Sequence, residues 1–378
     1  MKFKILADFQ QDNPSYISNV VNMSWEFVPY EETSEHNKFH YFKFLKIDKS
    51  WDFSDKHYIF PILYQAADTK FLPQTNNNKI INFINNNKEL FVSKKLIPVF
   101  LDPLEGNHGF KDALDKFSLI FPDIKFYFIS ADYNLTKTKN NFEFKFNDQW
   151  IHHIQPQNSC IEYVPKKVYL NLNRVARFHR CMLIDKLVNK NIFKKGYNTW
   201  ANTYFAFDEY KRQYPDTQIE NINFEILDIE DVSAANPTLI VPLEHCKNSM
   251  FYIVTETHFD NEVLFLSEKT YKPISVGMPF MSLGNPGTLE YLKSLGFQTF
   301  DKWIDESYDL DLPLEQRVDI IVKNLKTLSK LSNIEKIKLR KRMHKVCKHN
   351  LETYKSLQQK NNLIKIFYEI LNEANIAA

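Results

Sequence analysis

Two clusters of charged residues in the second half of the chain have types and spacing that could bind an anion. The first runs from Asn173 to Arg180 and contains Arg174, Arg177 and His179. It lies where a predicted strand ends and a predicted helix begins. Cations at a helix N-terminus oppose the helix dipole, so three arginines there favour a phosphate or diphosphate site over a solvated first turn.

The second cluster follows a predicted strand over 251–254 and extends into a predicted helix that opens with Ser-Glu-Lys. A carboxylate can bind two ribose hydroxyls while an adjacent lysine reaches a phosphate. That pairing suits a nucleotide diphosphate at the carboxyl ends of parallel strands. The candidate donor-binding residues of this cluster are Glu256, Thr257, Ser267, Glu268, Lys269, Tyr271 and Lys272.

Several other chemistries lack their sequence motifs. GxGxxG, GxxxxGK[ST], HExxH, GxSxG and the kinase set are all absent, which disfavours dehydrogenases, P-loop NTPases and several hydrolases. The four cysteines form no CxxC pair, and His152 and His153 would point apart in a strand, so we expect no metal site. A net charge of +2 gives no global attraction for nucleic acid or membranes.

Strand and helix patterns alternate along most of the chain. Apolar runs predict strands, and 3.6-residue periodicity predicts helices between them, the signature of parallel sheets with crossover helices. The predicted strands are 2–7, 96–101, 125–130, 167–172, 251–254, 279–283 and 297–300. The predicted helices are 111–121, 177–190, 269–276, 285–295, 314–331, 334–349 and 351–374, with 76–87 as a short helix or a loop.

Four of the only seven glycines lie between 277 and 296, beside the second cluster. Gly277 and Gly296 each follow a predicted helix, at the position where a left-handed backbone is usual. Asn285 and Pro286 read as the N-cap and first residue of a helix. The least substitutable backbone of the chain is therefore predicted to surround the segment from 268 to 300.

The residues from 165 to 310 resemble the donor-binding region of GT-B fucosyltransferases. Residues 251–257 and 265–269 are similar to that family's F-Y-x-x-x-E-N-S and Y-V-T-E-K patterns, with Thr257 and Phe265 at the family's Asn and Tyr. The block from 268 to 309 also resembles uncharacterised glycosyltransferase-like proteins, including viral ones. There the shared pattern is E-K-T-x-K-P-I, P-F, G-x-x-G-x-L-x-x-L, G-F-x-T-F and D-E-S-Y-D.

The resemblance implies an α/β, GT-B-like fold of two Rossmann-like domains facing a cleft. We expect an acceptor domain over 1–160, a donor domain over 161–348, and a C-terminal helix over 349–378 that could pack on the first domain. By analogy Glu268 binds the donor ribose, and Lys269 binds the diphosphate together with one of Arg174, Arg177 and Arg180. Glu256 and Thr257 line the sugar side, and the 305–309 segment either closes over the donor or caps its own loop.

The implied activity is transfer of a hexosyl or fucosyl group from a UDP- or GDP-type sugar to an acceptor hydroxyl. Cations and a helix N-terminus can stabilise the leaving diphosphate, so we expect a metal-independent, inverting enzyme with no tightly bound cofactor. The base should come from the N-terminal domain, from residues that follow strands. The candidates are Asp102, Glu105, His108 and Asp132, with Asp102 or Glu105 preferred.

Other functions remain open at this stage. The segment 336–348 contains seven Lys or Arg residues and an apolar stripe, which predicts an amphipathic helix whose basic face is solvated or binds nucleic acid or membrane. A nucleotide-sugar epimerase is disfavoured by the missing GxGxxG loop. The acceptor could be a glycan, a nucleic-acid base or another hydroxyl compound. With neither a signal-peptide nor a transmembrane pattern, we expect a cytoplasmic protein.

Overall fold

The computed structural model describes the chain in segments. They are residues 4–5, 26–27, 58–63, 79–102, 110–134, 141–148, 150–173, 175–200, 207–219, 222, 241–259, 263–360 and 363–376. The chain divides into two compact units. The first unit is Met1–Asp148 together with Asn361–Ala378, and the second unit is Gln149–Lys360.

The first unit contains a six-stranded parallel sheet in the order β2-β1-β3-β4-β5-β6. Its strands are β1 (Lys4–Ile5), β2 (Glu26–Phe27), β3 (Tyr58–Leu63), β4 (Leu96–Asp102), β5 (Phe126–Ser130) and β6 (Phe142–Phe146). The described helices before the second unit are α1 (Lys79–Asn86), α2 (Lys88–Val92) and α3 (Phe110–Ile120).

Phenylalanine rings fill the described core of the first unit. Phe117 packs edge-on against Phe126 with ring centroids 5.1 Å apart, and Phe126 stacks on Phe142 at the same distance. Phe100 from β4 lies 5.3 Å from Phe117. Because each ring buries a large apolar area, this core is stabilised mainly by hydrophobic burial.

The second unit contains a four-stranded parallel sheet in the order β10-β9-β7-β8. Its strands are β7 (Lys167–Asn173), β8 (Gly196–Trp200), β9 (Ser249–Thr255) and β10 (Phe280–Leu283). Its described helices are α4 (Trp150–His153), α5 (Phe178–Asn189), α6 (Phe207–Gln213), α7 (Leu243–Asn248), α8 (Glu268–Ser275), α9 (Thr288–Ser294), α10 (Leu314–Ser329) and α11 (Asn333–Lys360). The last described helix of the chain, α12 (Leu363–Ile376), belongs to the first unit.

The predicted α/β class with parallel strands is confirmed. The apolar run of β9 is buried along its whole length, as expected for a central strand covered on both faces. The two predicted helix ends also hold, because Gly277 and Gly296 have left-handed backbones with φ of 56° and 91°. Four strands were not predicted from the sequence: β2, β3, β6 and β8.

Four predicted elements differ from the structure. The helix predicted from Asn285 begins at Thr288, because Gly287 adopts φ 85° and donates its amide to the Asp309 carbonyl. No strand forms over 297–300, where the amide of Gln298 donates to the side chain of Asn350 instead. The bounds of the helices predicted over 334–349 and 351–374 are wrong, because the single helix α11 runs through Asn350 to Lys360 and α12 begins at Leu363.

None of the helices that the structure describes is both long enough and apolar enough to cross a bilayer.

Candidate functional site

The carboxyl ends of β7 and β9 are joined by buried polar side chains. The hydroxyl of Thr255 donates to Oδ1 of Asn173 at 2.6 Å. The side-chain nitrogen Nδ2 of Asn171 donates to the Ile253 carbonyl at 2.9 Å. Asn171, Asn173 and Thr255 are each at most 2% exposed. These bonds fix the two strand ends from which the chain continues toward α5 and α8.

Glu256 is an internal anion at the N-terminus of α8. One of its carboxylate oxygens accepts from the Ser267 amide at 3.2 Å and from the Thr270 hydroxyl at 2.6 Å. The other oxygen accepts from the Ser267 hydroxyl. With 2% exposure and three donors, the carboxylate occupies the position that an external anion would take at this helix end.

Lys269 lies at the centre of a polar group that includes three neighbours. Its ammonium is 2.7 Å from Oε1 of Glu268 and 3.4 Å from both the Thr257 and the Ser267 hydroxyl oxygens. Burial acts to raise the pKa of Glu268, but Lys269 and Lys272 outweigh burial and hold that pKa below its ordinary value. An ionised Glu268 therefore sits beside a lysine whose side chain is 24% exposed.

The N-terminus of α5 differs from that of α8. Its N-cap residue is Arg177, whose side chain makes no capping hydrogen bond and instead donates to the Thr257 carbonyl at 3.2 Å. Among the described residues, the amides of Phe178 and His179 have no hydrogen-bond acceptor. Arg177 and Lys269 thus approach Thr257 from two elements, beside a helix end that lacks a protein anion.

Buried cationic and imidazole side chains hold the segment that follows β9. Arg180 donates to the carbonyls of Thr255 at 2.9 Å and Glu256 at 3.2 Å, and Nε2 of His179 donates to the Glu256 carbonyl at 3.0 Å. The His179 ring also stacks on Phe259, 4.3 Å away. These contacts fix the backbone that presents Thr257.

The carboxylates of Glu256 and Glu268 lie near Arg180 and favour its charged form. Burial, assisted by Arg177, lowers the pKa of Arg180 to about 10, so its guanidinium remains charged at neutral pH. Burial and Arg180 together lower the pKa of His179 well below its ordinary value, so that ring is neutral. Within the described segments, neither Arg177 nor Arg180 forms an ion pair. Arg180 is therefore a buried cation whose described hydrogen bonds all go to backbone carbonyls.

Arg317 is a structural residue of this region that the sequence prediction missed. It is 1% exposed and donates to three backbone carbonyls, those of Phe259 at 3.3 Å, Gly284 at 2.6 Å and Tyr308 at 2.7 Å. It lies on the buried face of α10 with Val318 and Ile321. An arginine within an apolar helical stripe was the available sequence signal.

Seven of the predicted donor-binding residues are at most 6% exposed: Arg180, Glu256, Thr257, Ser267, Glu268, Tyr271 and Lys272. The Tyr271 side chain has no exposed surface and stacks on Tyr354, with ring centroids 5.3 Å apart. Lys272 is 5% exposed. The 305–309 segment caps its own loop, because Asp305 accepts from the Ser307 amide at 3.0 Å and Tyr308 is completely buried.

Most of the predicted base candidates and Arg174 fall outside the described residues. Asp102 is the last residue of β4, but its side chain is not described, and Glu105, His108 and Arg174 lie outside the described segments. Asp132 is 2% exposed and accepts from the Asn134 amide at 3.0 Å, as a turn residue does.

The described residues include no group of three or more His, Cys, Asp or Glu side chains that could hold a metal ion. The adjacent histidines 152 and 153 belong to the short helix α4 and not to a strand.

Solved structures that are weakly similar to this chain include those of two glycosyltransferases. The first is the crystal structure of the pneumococcal O-GlcNAc transferase GtfA in complex with UDP and GlcNAc, with 9% identity and a TM-score of 0.37. That match covers 75% of this chain but only 59% of the other. The second is AviGT4, a glycosyltransferase involved in avilamycin A biosynthesis, with 10% identity, a TM-score of 0.24, and coverage of 73% and 89%. No protein-family model and no curated protein sequence matches the chain.

Proposed function

We propose that this chain is a GT-B-type glycosyltransferase that binds a nucleotide-diphosphate sugar in its second unit. One observation carries the proposal: Arg177 and Lys269 converge on Thr257 beside the uncapped N-terminus of α5. At the neighbouring helix α8 the protein supplies its own anion, Glu256. An external diphosphate is therefore directed to α5.

The proposed binding mode assigns each group a part of the donor. The diphosphate accepts from the amides of Phe178 and His179 and from the Arg177 and Lys269 side chains. The ribose hydroxyls donate to Glu268, the residue to which the family resemblance gives this role. Because Lys269 bonds to Glu268, one lysine would link the ribose-binding carboxylate to the phosphates.

The proposed reaction breaks the bond between the sugar and the diphosphate and forms one to an acceptor hydroxyl. Negative charge grows on the leaving diphosphate, where the two cations and the positive end of the α5 dipole stabilise it. Such stabilisation makes a metal-independent, inverting transfer the proposed mechanism. The acceptor proton would go to a carboxylate or imidazole of the N-terminal domain, with Asp102, Glu105 and His108 as the candidates.

Calorimetric titration with UDP, GDP and their sugars tests the donor site. Either Lys269→Ala or Arg177→Ala should weaken binding of the nucleotide that the wild type prefers by about 10- to 100-fold, since each removes a charge-assisted hydrogen bond. Lys326→Ala, at an exposed position on α10, is the matched control and should bind as the wild type does. Unchanged affinity in both site variants would overturn the assignment.

A thermal-shift panel of UDP, GDP, CMP and dTDP with their sugars identifies the nucleotide. A ligand that binds only the folded state, at 100 times its dissociation constant, should stabilise the chain by about 2.7 kcal/mol. The chain is then given the nucleotide-diphosphate sugar of the nucleotide that stabilises it, and release of the free nucleoside diphosphate measures turnover. If no nucleotide diphosphate stabilises the chain, the proposed function is wrong.

A further inference from the structure

The outward face of α11 carries a stripe of cations. Five exposed side chains, spaced three or four residues apart along the helix or adjacent, form this face: Lys338, Lys341, Arg342, Lys345 and Lys348. In the part of the chain that the structure describes, none of the five forms an ion pair with an acidic side chain. The whole chain has a net charge of only +2, so this positive charge is local to one face.

Exposed apolar side chains lie beside this stripe. Ile334, which is 67% exposed, precedes Lys338 by four residues and Lys341 by seven, a spacing that puts all three on one side of a helix. Tyr163 and Val164 are 50% and 55% exposed. Both help to line a cavity of about 290 Å³ whose other walls include Lys341, Ile337, His344 and one acidic residue, Glu162.

The buried side of α11 fixes the cationic stripe relative to the 161–164 segment. Arg340 is 1% exposed and donates to the backbone carbonyls of Cys160, Tyr163 and Lys247. Met343 and Cys347 continue the buried side along the helix. The cations and the exposed apolar residues therefore form one rigid surface, which we call the α11 face (Ile334, Tyr163, Val164, Lys338, Lys341, Arg342, Lys345 and Lys348).

This chemistry favours a lipid surface over a nucleic acid. Exposed aliphatic side chains such as Ile334 and Val164 gain free energy at the boundary between headgroups and acyl chains, but gain little against a phosphate backbone. Stacking on a base would need a free aromatic face. The ammonium of Lys247 lies over the Tyr163 ring, 4.9 Å from its centroid, and occupies one of those faces.

We propose that the α11 face docks the protein on a bilayer that contains anionic lipids. The cations attract the headgroup phosphates and carboxylates, while Ile334, Tyr163 and Val164 enter the interface. The proposal does not depend on the donor site, which is built from other residues.

Co-sedimentation of the full chain with vesicles tests the proposal. The wild type should bind vesicles of phosphatidylcholine with 30 mol% phosphatidylserine, and it should not bind vesicles of phosphatidylcholine alone. Each basic residue near an anionic surface is worth about 1 kcal/mol, so the triple variant Lys338→Gln, Lys341→Gln, Lys345→Gln should bind about 100-fold more weakly. The matched control is Lys323→Gln, Lys326→Gln, Lys330→Gln, three exposed lysines in the second half of α10 and just after its last residue. It should bind as the wild type does.

A second variant distinguishes lipid insertion from simple attraction to a polyanion. Val164→Ser with Ile334→Ser should weaken vesicle binding while leaving elution from a heparin column unchanged, because both lost side chains are apolar and exposed. If the wild type does not bind the anionic vesicles, the proposal is overturned. It is also overturned if the lysine triple variant binds these vesicles as tightly as the wild type does. Binding to duplex DNA at salt concentrations where vesicles are not bound would also overturn it and point to nucleic acid instead.

Discussion

Three helix N-termini in the second unit differ in the side chains that surround them: acidic side chains accept at two of them, and arginines and a histidine lie at the third. At α8 the Glu256 carboxylate accepts from the first-turn groups, and at α9 the Asp309 carboxylate accepts from the Leu289 amide at 2.8 Å. At α5 the residues are Arg177, His179 and Arg180, and no carboxylate caps the helix within the described residues. An acidic side chain accepts at the starts of α8 and α9 but none does at the described start of α5, and under the proposed function a ligand takes that place.

The difference follows from what each helix end must satisfy. A helix begins with amides that lack intrahelical acceptors and with a positive dipole end, and both features favour a negative group. Glu256, which follows β9, supplies the acceptor at the start of α8, and Asp309 supplies the acceptor at the start of α9. Arg177 and Arg180 make the α5 terminus more positive, and under the proposed function this charge would stabilise a complex with an anion.

The Asp309 carboxyl should make the stability of the chain depend on pH. Burial raises its pKa to about 7, from an ordinary value of 3.8. Between these two values the folded chain holds a proton that the unfolded chain releases, so the contribution of this group is full below pH 3.8 and is lost as the pH rises through 7. From pH 5 to pH 8 the free energy of unfolding should fall by about 3 kcal/mol on this account.

Urea unfolding of wild type and Asp309→Asn across that pH range measures the effect. The neutral amide cannot titrate, so the variant should lose this part of the pH dependence. Asp305→Asn is the control, because hydrogen bonds from Ser307 hold the pKa of Asp305 below its ordinary value and it stays ionised throughout. If the free energy of unfolding depends on pH in the same way in Asp309→Asn and in the wild type, then the Asp309 carboxyl does not have the raised pKa described above.

The α8 carboxylate gives the second prediction. Glu256→Gln keeps the size of the side chain, but it removes the negative charge that accepts from the first turn of α8, and an NH₂ group replaces one of the two accepting oxygens. The free energy of unfolding should therefore fall by about 2 kcal/mol. The control Glu290→Gln, at an exposed position in the first turn of α9, should lose less than about 1 kcal/mol. Equal losses would mean that Glu256 is an ordinary surface carboxylate.

The sequence predicted the strands best where apolar residues run continuously, as in β4, β5 and β9. It also predicted which residues lie near the carboxyl ends of β7 and β9, because a strand followed by charged residues and a helix is a local pattern. Of the predicted donor cluster, the structure brings Arg177, Thr257, Ser267, Glu268 and Lys269 together.

The roles of individual side chains depended on partners that are distant in sequence. Arg317 donates to a carbonyl 58 residues away, and Asp309 accepts from an amide 20 residues away. No local pattern could show that Glu256, which the resemblance assigned to the sugar side, has three donors from the start of α8. Burial of Tyr271 against Tyr354 likewise required the packing of α11.

Reversing the charge of the α5 N-cap should give the smallest change in the free energy of unfolding. It also tests the comparison of the three helix starts most directly. Arg177→Asp places at α5 the kind of group that α8 and α9 already have. An N-cap carboxylate that accepts from the first-turn amides should raise the free energy of unfolding by about 0.5–1 kcal/mol, even after loss of the bond to the Thr257 carbonyl.

The same substitution should abolish binding of a nucleotide diphosphate, because the new carboxylate occupies the amides and repels the phosphates. Arg212→Asp is the control: it lies in the last turn of α6, where a carboxylate opposes the helix dipole, so it should lower stability slightly and leave nucleotide binding intact. A more stable chain that no longer binds nucleotide would show that α5 gives up stability for its ligand. A less stable chain would mean that Arg177 serves the fold and that the three helix starts do not differ in the way described.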